Sequence, residues 1–226
     1  MLQTFQLKLH PQLKLKLMTF KLKTFIDSHK AITWLVVLGM VAWHNQWRNY
    51  TALAYLAMHG SYGVLWALKS HIFPDKSWER PVSVRYGVCV AWGALSLYWV
   101  APWLITSQGI QASPIWLCMC LMAYAFGVFL HFASDMQKFT ALRLRPRHLI
   151  QDGLFAHVRN PNYFGELLIY AGFGLLAMHW LPIVVIALFV LCYWLPNMRR
   201  KDQSLSRYPE FAAYKQRTKL FIPFVW

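Results

Sequence analysis

Glu166 follows Asn162 by four residues in the run Asn160-Pro161-Asn162-Tyr163-Phe164-Gly165-Glu166, about one turn inside an apolar block. An ionisable residue within an apolar, membrane-length segment costs a few kcal/mol to place there and marks a functional site by default. Upstream, Asp152-Gly153 predicts a turn. Pro161 suits the first turn of a helix and Asn160 its N-cap. Asn162 and Glu166 then share a face near an electropositive helix N-terminus with free backbone N–H groups, and Arg159 precedes them. An amide, a carboxylate, a guanidinium and a helix dipole converging at one mouth suit a polar, phosphate-bearing cofactor.

Other charged groups can join them. Ser134-Asp135-Met136-Gln137-Lys138 follows one apolar block, and Arg199-Arg200-Lys201-Asp202 follows another. Arg143, Arg145 and Arg147 lie between. Alone, each basic cluster fits lipid headgroups at least as well as a phosphate. His59 and Tyr62 sit on one helical face, with Trp66 a turn further. A buried tyrosine beside a histidine can donate a proton, and an interhelical hydrogen bond accounts for the same pair.

The elements that must carry these groups are apolar. The chain has 226 residues, of which 58% are hydrophobic and 14% charged, with a mean hydropathy of +0.34. That is too little polar surface to cover a water-facing globule. Six apolar blocks span residues 31–43, 51–68, 82–105, 114–132, 163–177 and 181–196. They predict an all-α polytopic bundle of about six spans, with a cytoplasm-facing cofactor cavity. The first block is short, so it must borrow flanking residues, tilt little, or thin the bilayer locally.

Charge sets the expected orientation. Of the 23 Lys and Arg, all but Arg48 fall in alternate connecting segments. This is the positive-inside pattern for both termini in the cytoplasm of a bacterial inner membrane or endoplasmic reticulum. The net charge of +15 therefore meets anionic headgroups, and no nucleic-acid partner is expected. Cys89, Cys118, Cys120 and Cys192 all lie in apolar blocks, so neither disulfide nor metal site is expected. Residues 1–30 read as a basic N-terminal segment ahead of a single domain over 31–226. Met18 is a candidate start, which would make residues 1–17 dispensable.

Residues 131–226 resemble the C-terminal portion of the steroid 5α-reductase and sterol-reductase superfamily. The resemblance rests on Ser134–Lys138, Asp152-Gly153-Leu154-Phe155, Arg159–Glu166, the ending Arg207-Tyr208-Pro209-Glu210-Phe211 with Tyr214, and Phe221-Ile222-Pro223-Phe224. It implies an integral membrane enzyme that uses NADPH to reduce a carbon–carbon double bond in a hydrophobic enone lipid such as a 3-oxo-Δ4 steroid. It implies cofactor contacts at Asp135, Asn162 and Glu166, and at Arg199 or Arg200, with Tyr208 closing the cavity. Lys138, Arg159 and Tyr163 belong to the same matched stretches. The substrate-polarising tyrosine of that superfamily matches Tyr62, with His59 beside it.

One departure stands out. The 5α-reductases pair that tyrosine with a glutamate from an earlier helix, whereas this chain has only Asp27 before Asp75, within the basic segment. Asn45, Gln46 and His59 are the polar residues left to take its place. Membrane methyltransferases that use S-adenosylmethionine share the architecture and carry an Arg-His-Pro-x-Tyr signature. Here the corresponding run is Arg159-Asn160-Pro161-Asn162-Tyr163, and their glutamate pair is missing at Lys201-Asp202-Gln203. A methyltransferase and a non-enzymatic lipid-binding scaffold stay open as alternatives.

Overall fold

The computed structural model describes residues 19–225; the alternating Leu–Lys stretch and the Met18 start fall outside them. Every apolar block forms helix. The helices are α1 (Leu22–Trp43), α2 (Tyr50–Ile72), α3 (Val84–Ser107), α4 (Pro114–Leu144), α5 (Pro161–Gly174), α6 (Trp180–Leu205) and the short α7 (Phe211–Arg217). Strands β1 (Thr19–Lys21) and β2 (Pro81–Ser83) pair antiparallel and tie the start of α1 to the start of α3. The chain is an all-α membrane protein in which α1, α3, α4 and α6 are each long and apolar enough to span a bilayer.

The first span does borrow flanking residues. α1 begins at Leu22, inside the basic segment, and its 22 residues rise about 33 Å at ~1.5 Å per residue. Asp27 and Lys30 are thereby part of the helix.

The remaining two blocks, α2 and α5, are the inner helices. α2 is long but less apolar, and it turns Tyr55, His59, Tyr62, Trp66 and Lys69 inward. α5 has only 14 residues, extended by one tight turn to Ala177. Both carry the polar groups that a lipid-facing helix could not.

Glycines let these inner helices approach backbone to backbone, the packing mode membrane helices favour. A Cβ at Gly165 on α5 would stand 2.5 Å from the His131 amide nitrogen of α4 and 2.8 Å from the Gly127 oxygen. A Cβ at Gly63 on α2 would collide with the Lys30 carbonyl of α1.

Two spans are interrupted by wide turns. α3 is π-helical over Gly87–Trp92, and α6 over Val190–Trp194. The second interruption lies where α6 leaves its apolar half for the charged segment Leu195–Leu205.

Candidate active site

At the charged ends of α2, α4, α5 and α6 lies a polar cavity of about 630 Å³. Ligand-sized pockets run from about 300 to 1,000 Å³. Its wall carries Lys69, Lys76, Arg80, Lys138, Arg200 and Lys201 against Asp75, Asp135 and Glu166. The acids are mostly spoken for. Lys69 pairs with Asp135 at 2.7 Å, both side chains buried, and Lys138 pairs with Asp75 at 2.8 Å. Burial alone would raise the Asp75 carboxyl, but Lys138 and the Ser77 amide and hydroxyl hold it well below the usual carboxylate range. The cavity therefore keeps a surplus of positive charge.

α5 delivers Asn162, Tyr163 and Glu166 to this wall. The turn before it forms as expected. Gly153 takes φ +56°, and a Cβ there would press to 2.7 Å on the Gln137 amide. That amide accepts from the Leu154 N–H at 3.1 Å and donates to the Asp152 carbonyl at 2.9 Å. Pro161 opens the helix, but Asn160 does not cap it with its side chain. Instead the Asn160 amide donates to the Leu220 carbonyl at 2.8 Å and accepts from Lys201 at 3.1 Å. It is needed to anchor the C-terminal segment.

Arg159 does the same work. Its guanidinium sits buried on Asp202 at 3.0–3.1 Å and donates to the Thr218 carbonyl at 2.7 Å. It faces away from the polar cavity, into a second basic cleft of about 650 Å³ that Arg199 also lines. Tyr208 lies half-buried under the Arg207 guanidinium and lines neither hollow. Of the nine residues expected at the cofactor, Asp135, Lys138, Asn162, Tyr163, Glu166 and Arg200 are brought together; Arg159, Arg199 and Tyr208 are not.

Tyr62 and His59 also separate. His59 bonds to the Tyr55 hydroxyl at 2.9 Å and stacks on Phe173. Tyr62, wholly buried, accepts a hydrogen bond from the Lys30 ammonium at 3.0 Å, and Tyr170 accepts another at 3.0 Å. So the group from the earlier helix that meets Tyr62 is Lys30. Gln46 instead bonds to Asn49 and His44 at the far end of α1, and the Asn45 amide closes the turn on Ala42. Asp27, within the basic segment by sequence, also packs against α2: it accepts from the Trp66 indole at 2.9 Å and the Ser70 hydroxyl at 2.6 Å.

Tyr62 packs one layer behind the cavity, against Trp66 and His131, which both line it. Sequence reasoning missed His131. Its Nδ1 meets the Asn162 carbonyl at 3.0 Å, and its buried Nε2 has no partner among the described residues. An orphaned nitrogen on a cationic wall fits a polar ligand that completes the site.

Beside the polar cavity runs an apolar groove of about 380 Å³ between α1, α3 and α6, lined by Leu22, Ile26, Val90, Leu95 and Phe189 among others. The two hollows share Trp78, Arg80 and Tyr193 as a common wall.

Against known proteins, the family described as 3-oxo-5-alpha-steroid 4-dehydrogenase matches residues 81–226. The chain is 40% identical over 73 residues to the mouse protein 3-oxo-5-alpha-steroid 4-dehydrogenase 1, covering 32% of the chain and 28% of that protein. It is 31% identical over 91 residues to an uncharacterized protein of Schizosaccharomyces pombe, covering 37% and 32%. The matched stretches thus span about a third of those relatives' own lengths. No solved structure matches significantly.

Proposed function

The chain belongs to the 3-oxo-5-alpha-steroid 4-dehydrogenase family, and from that premise we propose that it is a membrane oxidoreductase reducing the carbon–carbon double bond of a hydrophobic enone, of the 3-oxo-Δ4-steroid kind, with NADPH. The observation that carries this reading is the common wall of Trp78, Arg80 and Tyr193 between a cationic cavity and an apolar groove. A phosphate-bearing cofactor and a lipid can meet across it without either entering the other's solvent.

NADPH would supply the hydride. Asn162, Glu166, Lys138 and Arg200 would hold its polar body, and the surplus positive charge favours the extra phosphate that distinguishes it from NADH. The orphaned His131 Nε2 gains a partner in the same act. Trp66 and His131 form the partition behind which Tyr62 waits, so substrate binding must part it. Tyr62 then donates its hydroxyl to the carbonyl oxygen as negative charge develops there. The basic ends of the spans favour a cytoplasmic opening for the cavity.

Purified protein in detergent, titrated with NADPH, NADH and S-adenosylmethionine and then assayed for NADPH oxidation with a 3-oxo-Δ4 steroid, tests the reading. NADPH should bind tightest and turnover should require the enone. Tight binding of S-adenosylmethionine would move the protein to the methyltransferases. A reporter fused after Trp226 should read as cytoplasmic; a C-terminus outside removes the route for the cofactor.

A further inference from the structure

Lys30 is a cation buried to 4% exposure inside a span, and no carboxylate pairs with it among the described residues. Removing an ammonium from water costs several kcal/mol unless its protons are satisfied. Here two N–H groups go to the Tyr62 and Tyr170 oxygens at 3.0 Å each, and the ammonium rests 3.9 Å above the Trp66 ring. Trp66 is in turn held by Asp27. The charges that act on Lys30 through space are Asp27, Glu166 and Lys69. The arrangement is built in: only glycine at 63 lets α2 close on the Lys30 carbonyl.

An ammonium can only donate. Both phenol oxygens therefore spend a lone pair on Lys30, and the Tyr62 hydroxyl, turned toward Tyr170, has its one hydrogen to redirect to a substrate carbonyl. We infer that Lys30 is a positioning residue for enone reduction, acting through Tyr62: it fixes the phenol as a donor and stabilises the charge left on it when its proton departs. This rests on the reductase reading above.

The step balances as follows. NADPH, when bound, would supply a hydride to the β carbon and be left as NADP+, with the double-bond electrons shifting toward the carbonyl oxygen. The Tyr62 O–H breaks as the enol O–H forms, leaving a phenolate against the Lys30 ammonium. The α carbon then takes a proton from solvent while the enol oxygen returns its own to Tyr62, restoring carbonyl and phenol.

The test compares wild type, Lys30→Met, Lys30→Arg, Tyr62→Phe and the Lys30→Met/Tyr62→Phe double variant, full length in detergent, with NADPH and a 3-oxo-Δ4 steroid. Lys30→Met should lower kcat roughly 10- to 150-fold, the range for losing a hydrogen bond to a charged group, with KM and NADPH affinity unchanged. Lys30→Arg, which keeps the charge, should recover part of the rate. The double variant should be no slower than Tyr62→Phe, because Lys30 has nothing left to act through. Wild-type kcat in Lys30→Met, a Lys30→Arg variant that binds NADPH yet is as slow as Lys30→Met, or losses that multiply in the double variant, would each overturn the inference. A wild type that reduces no enone would instead sink the reductase reading and this role with it.

Discussion

Lys69 of α2 and Asp135 of α4 meet at 2.7 Å with both side chains almost wholly buried, and both line the polar cavity. The pair is at once a brace between two helices and part of the binding wall. Asp135→Ala would strand a buried ammonium, which typically costs about 3–5 kcal/mol. Melting in detergent should show that loss. The paired change Lys69→Met with Asp135→Leu should recover most of the stability. If the recovered protein still binds NADPH as wild type does, Asp135 is a brace alone and makes no cofactor contact.

On the proposed reading, Asn162 and Glu166 act through binding. Asn162→Ala or Glu166→Gln should each weaken NADPH by roughly 10- to 150-fold in a calorimetric titration, the equivalent of about 1.5–3 kcal/mol. Tyr62→Phe should bind NADPH normally and turn over on the order of 10²–10⁴-fold more slowly. A Tyr62→Phe enzyme of normal rate would shift attention to Tyr193, which stands in the wall between groove and cavity. His59 is engaged by Tyr55 instead.

Arg159 and Arg200 should part company under mutation. Arg200→Ala should narrow the preference for NADPH over NADH and leave the melting temperature nearly unchanged, since Arg200 is exposed and, among the described residues, bonds only to its own helix. Arg159→Ala should lower the melting temperature first, because it leaves Asp202 and the Thr218 carbonyl without their buried donor. An Arg159→Ala protein that is stable but blind to the 2′-phosphate would reverse these assignments.

Gly63→Ala and Gly165→Ala each add one methyl to a backbone contact that has no room for it. Overpacking of this kind costs about 1–3 kcal/mol or more. Both variants should melt earlier than wild type, and Gly165→Ala should also weaken NADPH, because it levers Asn162 and Glu166 away from His131. The control is Gly39→Ala, whose Cβ would meet nothing within 4 Å and which should melt no earlier than wild type.

The sequence carried the local part of this site. Asn162, Tyr163 and Glu166 come from one helix turn behind a glycine turn, so counting residues was enough to place them together. The groups contributed across helices were opaque. Lys30 belongs to a lysine-rich stretch where each cation looks like a headgroup contact, and only the early start of α1 at Leu22 takes it inside. Asp27 was misread for the same reason. The Lys69–Asp135 pair joins residues far apart in the chain, and nothing in either neighbourhood announces the other. Arg159 and Asn160 stood beside the right motif but are consumed by the C-terminal segment, whose docking no local pattern encodes.

The π-helical stretch Val190–Trp194 changes how the last span should be thought of. A wide turn holds one residue more than an α-helix would over the same rise, and one residue is about 100° of azimuth. Residues counted at a regular period from the lipid-facing half therefore arrive out of phase in the charged half, where the slip sets which hollow each side chain meets: Arg199 one and Arg200 the other. The span works as two stripes clocked independently, one to the bilayer and one to the aqueous cavity, with a one-residue slip between them.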